Sequence, residues 1–296
     1  MNKNKKKDHT KQAELNARAD KALIFSIKLA RKIGQYLKNQ QAKMLNQKLK
    51  MVIENKKSQG VASQVDLAAE AMIVAAIIKK FPLDHILAEE SAYEKFKGES
   101  SKYRQFQKQE FTWVIDPLDG TNNFLNGLDY FAVCISLLYR GLPIVGVVYR
   151  PVTDEIFYAK KNGGSFYQKN NGRVFKIGMV ENVKKSRESL FVTGFTSEKG
   201  KIFEGEFLQF KKMMGKSRGI RRMGSAALDL CYLAQGTFDC FWERGLAPWD
   251  MAASMIICEE SHVLVTDYNG RDFHPFKSTI LAARKPLYHE VLSYFK

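Results

Sequence analysis

Apolar residues at Leu23, Ile27, Ala30, Ile33 and Leu37 recur every three or four positions, so residues 13–40 are expected to form a long amphipathic helix. A second helical pattern covers 65–80 and is stopped by Pro82. The stretch 48–59 between them is lysine-rich apart from Met51, Val52 and Ile53, which reads as a mobile connection. The rhythm then shortens. Residues 85–88 and 111–115 read as strands separated by a polar loop, and 131–139, 144–149, 155–160 and 165–168 read as an antiparallel meander joined by Arg-Gly, Pro-Val-Thr-Asp and Asn-Gly-Gly turns. Beyond residue 182 strands and helices alternate: strands at 190–193, 219–222, 238–242, 263–266 and 280–283, helices at 203–214, 225–235 and 249–259, and a final helix. The pattern predicts an N-terminal α+β subdomain over 13–182, a C-terminal α/β subdomain over 183–296, and a cleft between them.

Composition narrows the class. A chain of 296 residues with 45% hydrophobic residues can bury a substantial core. No 18-residue apolar run and no hydrophobic signal segment is present, so a cytoplasmic location without membrane association is expected. Cys134, Cys231, Cys240 and Cys258 lack Cys-x-x-Cys spacing and lie in apolar contexts, which favours buried free thiols. The net charge of +16 invites an acidic partner, and its densest run, Lys3 to Lys7 with Lys11, is expected to lie in a disordered basic tail over 1–12. No aromatic residues interleave with that run, so only weak, non-specific RNA contact is expected of it.

The chemistry concentrates in Trp113-Val-Ile-Asp-Pro-Leu-Asp-Gly-Thr121. Val114 and Ile115 read as a buried strand, Pro117 ends its pairing, and Gly120 permits a turn tight enough for N–H groups to face an anion. Asp116 and Asp119 are thereby thrown into one turn. Two carboxylates about 4 Å apart repel by roughly 4 kcal/mol at an effective dielectric near 20, so such a pair calls for a cation, and Mg²⁺ is the natural candidate. An Asp-rich β-turn is the plain alternative. The haloacid-dehalogenase motif is excluded, because the spacing here is one residue too long to supply its second Asp. Three other acidic sites are candidates to converge: Glu89-Glu90 just past a strand end, Asp250 in the first turn of a helix, and Asp66 near the start of another. Asp66 and Asp250 are equally placed to act as helix caps. Glu89, Asp116, Asp119 and Asp250 supply hard oxygen ligands for two Mg²⁺ ions that would clamp the oxygens of a phosphoryl transfer, with phosphate on the N–H groups of Gly120 and Thr121. Asp66 and the Thr121 hydroxyl are placed to orient the attacking water.

These residues, with Ala88-Glu-Glu-Ser91, Arg221-Arg-Met-Gly-Ser-Ala-Ala-Leu-Asp-Leu230 and Phe241-Trp-Glu-Arg-Gly-Leu-Ala-Pro-Trp-Asp250, give the chain a strong resemblance to the inositol monophosphatase family, most closely its bacterial SuhB-type members. The resemblance runs from about Ala13 to the C-terminus. It implies a layered αβαβα sandwich, shared with fructose-1,6-bisphosphatase, and a Mg²⁺-dependent, lithium-sensitive phosphomonoesterase using two or three ions. It assigns the metals to Glu89, Asp116, Asp119, Asp250 and the Leu118 carbonyl, and water activation to Asp66, Glu89 and Thr121. It places substrate on Gly120, Thr121, Gly224, Ser225, Ala226 and Glu243. The expected substrate is inositol 1-phosphate or a similar small polyol phosphate, with fructose-1,6-bisphosphatase, nucleotide 3′-phosphatase and NADP phosphatase activities as rivals. A homodimer, and contact with transcription machinery and RNA, are also implied. Four features depart from the family pattern: Gly60 where Asp is usual, Ala62-Ser63 in the loop before Asp66, Asn122 in place of Thr just after the phosphate-facing positions, and Glu260-Ser261-His262 in place of Ala-Gly-Gly, where a different local backbone is expected.

Overall fold

Two sheets alternate with three layers of helix. The computed structural model describes residues 2–55, 61–178, 185–195 and 200–296. Its larger sheet has seven strands in the order β3 (His85–Ala88), β4 (Phe111–Asp119), β5 (Ala132–Tyr139), β6 (Leu142–Arg150), β7 (Glu155–Lys160), β8 (Gly164–Lys169) and β9 (Val174–Ile177). Its smaller sheet has five, in the order β11 (Gly219–Arg221), β10 (Leu190–Thr193), β12 (Cys240–Arg244), β14 (Thr279–Arg284) and β13 (Val263–Thr266). A ribbon of β1 (Ile53–Asn55) and β2 (Val61–Ser63) stands apart.

Helices α1 (Asn2–Leu45) and α2 (Gln64–Lys80) cover the outer face of the larger sheet, where Ile33, Leu37, Ile73 and Ile77 pack on Ile115, Ile135 and Val147. Helices α6 (Ala226–Gln235) and α7 (Pro248–Glu260) fill the middle layer, and their Leu228, Leu230, Ile256 and Ile257 join Val148 and Phe157 of one sheet to Phe241 and Ile280 of the other. The far layer is α5 (Lys201–Met214) and α8 (Lys285–Leu292), which bury Met213, Leu287 and Val291 against Phe191, Trp242 and Leu281. The expected αβαβα sandwich is therefore the fold. Because β5 and β6 are covered on both faces, their side chains form near-continuous apolar runs instead of alternating. At Gly146 of β6 a Cβ would lie 2.2 Å from the Ala253 carbonyl oxygen, so α7 rests directly on the strand backbone.

β3 and β4 are parallel, while every other neighbour in the larger sheet is antiparallel. A parallel pair needs a crossover, supplied here by α3 (Glu89–Phe96) and a 3₁₀ helix over Ser100–Lys108. Both strands consequently end at the same edge of the sheet, which brings Glu89 beside Asp116 and Asp119.

The structure corrects several local expectations. Helix α1 extends back to Asn2, so the segment expected as a disordered tail has helical backbone from that point. The polar loop after β3 is largely helical, and β1 and β9 are strands that the periodicity did not mark. The expected change of rhythm at 182–183 falls outside the described residues, as does Gly60. The four cysteines are buried free thiols. Among the described residues no helix is long and apolar enough to cross a membrane.

Candidate active site at the edge of the larger sheet

The Asp-Pro-Leu-Asp segment is a bulge. Asp116 pairs with Cys134 and Asp119 with Ala132, so Pro117 and Leu118 face a single partner residue and the chain swings both carboxylates to the sheet edge. The Leu118 N–H donates to Asp116 Oδ1 at 2.9 Å, tightening the swing. Gly120 follows at φ +96°, where a Cβ would also lie 3.0 Å from the Tyr130 carbonyl oxygen, so no other residue fits without strain. Thr121 then opens the short helix α4 (Thr121–Leu125).

Asp66 caps α2 and also bonds Thr121. Its Oδ2 accepts from the Ser63 N–H at 2.9 Å and from the Ser63 hydroxyl at 2.5 Å, closing a capping box on α2. Its Oδ1 accepts the Thr121 hydroxyl at 2.9 Å. Asp250 behaves similarly at the start of α7, where Oδ2 accepts from the Ala247 N–H at 2.7 Å. For both residues the capping reading holds.

Glu89, Asp116, Leu118, Asp119, Gly120, Thr121, Gly224 and Asp250 line one cavity of about 160 Å³, together with Val61 and Asn122. Two larger cavities, of about 600 and 590 Å³, lie elsewhere and contain none of these acids, so donor chemistry and not size marks the site. Among the described residues no Lys, Arg or His lines the cavity. Burial, then the charges of Glu89, Asp119 and Asp250, hold the Asp116 carboxyl well above the usual range. Burial, then Asp119 and Glu89, do the same to Asp250. Asp119 is pushed up to about 6, first by burial, against the opposing hydrogen bonds of Ser225 and Ala227. Asp66 is pushed up to about 6 by burial and by Glu89, against the opposing hydrogen bonds of Ser63 and Thr121. Such a set of mutually repelling, desolvated acids fits hard divalent cations. As the side chains stand, no group of three or more His, Cys, Asp or Glu among the described residues is placed to hold a metal ion. Mg²⁺ is commonly held by one or two carboxylates per ion, with water and phosphate completing its shell.

The raised values have a sign that can be tested. Because Asp66 and Asp119 hold protons more tightly when folded, their contribution is fully present below the unfolded value near 4 and is lost as pH rises through about 6. For Asp66 alone the loss is on the order of 3 kcal/mol. Without divalent cations, the melting temperature is expected to fall between pH 4 and 6, and saturating Mg²⁺ to reverse most of the fall at pH 7. A metal-free melting temperature that stays level or rises over that interval refutes the assignment.

The model of the inositol monophosphatase family matches residues 18–295. The chain belongs to that family. The "Nus factor SuhB" of Vibrio cholerae is 36% identical over 261 residues, covering 88% of this chain and 90% of its own length. The inositol-1-monophosphatase of Rhizobium meliloti is 39% identical over 209 residues, 70% of this chain and 72% of its own. In three dimensions the chain is similar to the extragenic suppressor protein suhB of Bartonella henselae, with a TM-score of 0.79 at 29% identity over 93% of this chain and 98% of that one.

Not every residue that the family pattern assigns to substrate lines the cavity. Gly224 does, and its carbonyl lies 3.3 Å from where a Cβ on Gly120 would be. Ser225 is buried, caps α6, and donates to Asp119 Oδ2 at 2.6 Å; the Ala227 N–H donates to the same oxygen at 2.9 Å. Ser225 thus holds a carboxylate in place. Ala226 lies in the same turn, its backbone directed at Asp119. Glu243 is buried beside Gly194, where a Cβ would lie 2.2 Å from its Oε1. Burial and the nearby Asp229 hold the Glu243 carboxyl well above the usual range.

Two residues escaped the sequence reading. Asn123 donates from Nδ2 to the carbonyls of Tyr130 at 2.7 Å and Met223 at 2.8 Å, tying the Asp loop to the Gly224 loop. Glu70 lies on α2 one turn after Asp66, and that i, i+4 spacing of two acids on an otherwise apolar face was the available signal. The Glu260-Ser261-His262 turn is also resolved. Glu260 accepts the N–H groups of Asn162 and Gly164, both at 2.8 Å, and His262 takes the left-handed conformation at φ +65° without a glycine.

Proposed function

We propose that this protein is a Mg²⁺-dependent phosphomonoesterase acting on inositol 1-phosphate or a similar small polyol phosphate. The observation that supports this most is the convergence of Glu89, Asp116, Asp119 and Asp250 on one cavity that also contains Thr121, itself bonded to Asp66. Mg²⁺ would be held by those four carboxylates and the Leu118 carbonyl, and when bound it supplies Lewis acidity toward water and phosphate oxygen. The chain's own residues provide the rest. The N–H groups that follow Asp119 at the start of α4 are placed for the phosphate. The Thr121 hydroxyl carries one proton and has two acceptors, Asp66 Oδ1 at 2.9 Å and the Leu118 carbonyl at 3.0 Å. Were the Leu118 carbonyl to hold a cation, the Thr121 hydroxyl would donate to Asp66 alone, and its oxygen would be free to accept a hydrogen bond from the attacking water. The attacking water would pass one proton through Thr121 to Asp66 as its oxygen bonds to phosphorus and the ester bond breaks, and the leaving alkoxide would take a proton from the solvent to which Asp66 returns its own.

The substrate class is supported by the inositol-1-monophosphatase of Rhizobium meliloti among the relatives, with Glu243, which lies outside the cavity lining, as the residue that would accept the hydroxyls of a polyol. Phosphate release should be measured with Mg²⁺ on inositol 1-phosphate, fructose 1,6-bisphosphate, a nucleoside 3′,5′-bisphosphate, NADP and an aryl phosphate. Inositol 1-phosphate is expected to have the highest kcat/KM. Glu243→Gln is expected to lower that value by about tenfold while changing aryl phosphate hydrolysis by less than about threefold. Equal losses on the two esters remove the specificity role, and a nucleotide preference removes the polyol assignment.

A further inference from the structure

Glu70 is a buried acid outside the cavity, and all three of its hydrogen bonds come from the two residues after Glu89. Its Oε2 accepts the Glu90 N–H at 2.7 Å, and its Oε1 accepts the Ser91 N–H at 2.8 Å and the Ser91 hydroxyl. These N–H groups belong to the first turn of α3, where a helix leaves its donors without internal partners. The residue at the cap position, Ala88, has no side-chain acceptor and makes no capping bond. Glu70 supplies that cap from another helix. We infer that Glu70 is a positioning residue that fixes the start of α3, and with it the Glu89 carboxylate, relative to the rest of the metal site.

The argument is geometric. Glu89 is the first residue of α3 and directly follows β3, so its carboxylate goes where the first turn of that helix goes. Asp66, on the same face of α2 four residues earlier, holds Thr121. One helix thereby sets the separation of two loops: its first turn grips the loop after β4 and its next turn grips the loop after β3. Residues that orient metal ligands without touching the ion commonly change metal affinity by 10–100-fold when replaced.

The inference rests on the Mg²⁺ phosphatase reading, and the test separates the two. Glu70→Gln keeps size and one acceptor but turns an amide donor toward N–H groups that are themselves donors. The Mg²⁺ concentration for half-maximal phosphate release from inositol 1-phosphate is expected to rise at least about tenfold. At saturating Mg²⁺, KM should stay within about threefold of wild type and most of kcat should return. Calorimetric titration of Mg²⁺ into the substrate-free protein should show the same weakening. Ser91→Ala, which removes one of the three bonds, should shift the midpoint by about threefold and covers the case in which Glu70→Gln does not fold. Glu155→Gln serves as the control: Glu155 is a buried acid bonded to Arg150, Thr153, Tyr167 and Tyr232, so its loss strains the fold away from the cavity and should leave the Mg²⁺ midpoint in place. An unmoved midpoint in folded Glu70→Gln, or in Ser91→Ala where Glu70→Gln fails to fold, overturns the inference, as does an equal shift in Glu155→Gln. Wild-type protein that hydrolyses equally well when shown to be free of divalent cations, or that does not hydrolyse with Mg²⁺ present, overturns the Mg²⁺ phosphatase reading instead.

Discussion

Excess EDTA is expected to lower phosphate release from inositol 1-phosphate at least about a thousandfold, and added Mg²⁺ to restore it. The cavity is lined by four carboxylates and, among the described residues, by no basic side chain. A phosphate dianion entering that space meets carboxylic acids and no cation, and each carboxylate left ionised costs roughly 4 kcal/mol at 4 Å and an effective dielectric near 20. Backbone N–H groups at Gly120 and Thr121 do not offset several such terms. Without cations the site therefore repels its substrate. The measurement is phosphate release before and after chelation, with metal analysis of the chelated protein. Full activity in a preparation shown to be metal-free would end the metal-dependent mechanism.

Asp119→Asn is expected to reduce kcat at least about a hundredfold at saturating Mg²⁺, with little loss of fold. Asp119 Oδ2 already accepts two hydrogen bonds, from Ser225 and from the Ala227 N–H. An Asn side chain has one acceptor oxygen and one NH₂ group. If the oxygen keeps the two bonds, the NH₂ faces the cation; if the oxygen faces the cation, the NH₂ opposes two donors. Both orientations lose a charge and one set of contacts. A variant with kcat within about threefold of wild type removes Asp119 from the metal site, and circular dichroism distinguishes a dead site from an unfolded chain.

How far the sequence anticipates this arrangement depends on the range of the forces involved. The strands from 131 to 168 are short-range features, carried by alternating or continuous apolar runs between Gly and Asn turns, and the observed β5 to β8 follow them closely. Asp116, Asp119 and Thr121 are legible because one local turn brings them together. The sequence offers Glu89 and Asp250 only as candidates to converge on that turn, since their approach depends on a parallel β3–β4 pair and on α7 crossing the opposite face. Helix α3 went unmarked because its cap is not local: Ala88 signals nothing, and the acceptor comes from Glu70, far away in the chain. The family resemblance assigns Ser225 to substrate, and sequence order cannot show that its hydroxyl also donates to Asp119.

The missing side chain at Gly146 has a consequence for how lesions in this protein should be interpreted. Helix α7 sits on the strand backbone there, with the Ala253 carbonyl where a methyl group would have to be, and Asp250 lies in the first turn of that same helix. Asp116 belongs to the sheet beneath it. The gap between those two acids is therefore set partly by a spacer one hydrogen atom thick, deep in an apolar layer. A core change that lifted α7 would present at the bench as weakened cation affinity, and a survey restricted to charged residues would look for its cause in the wrong place.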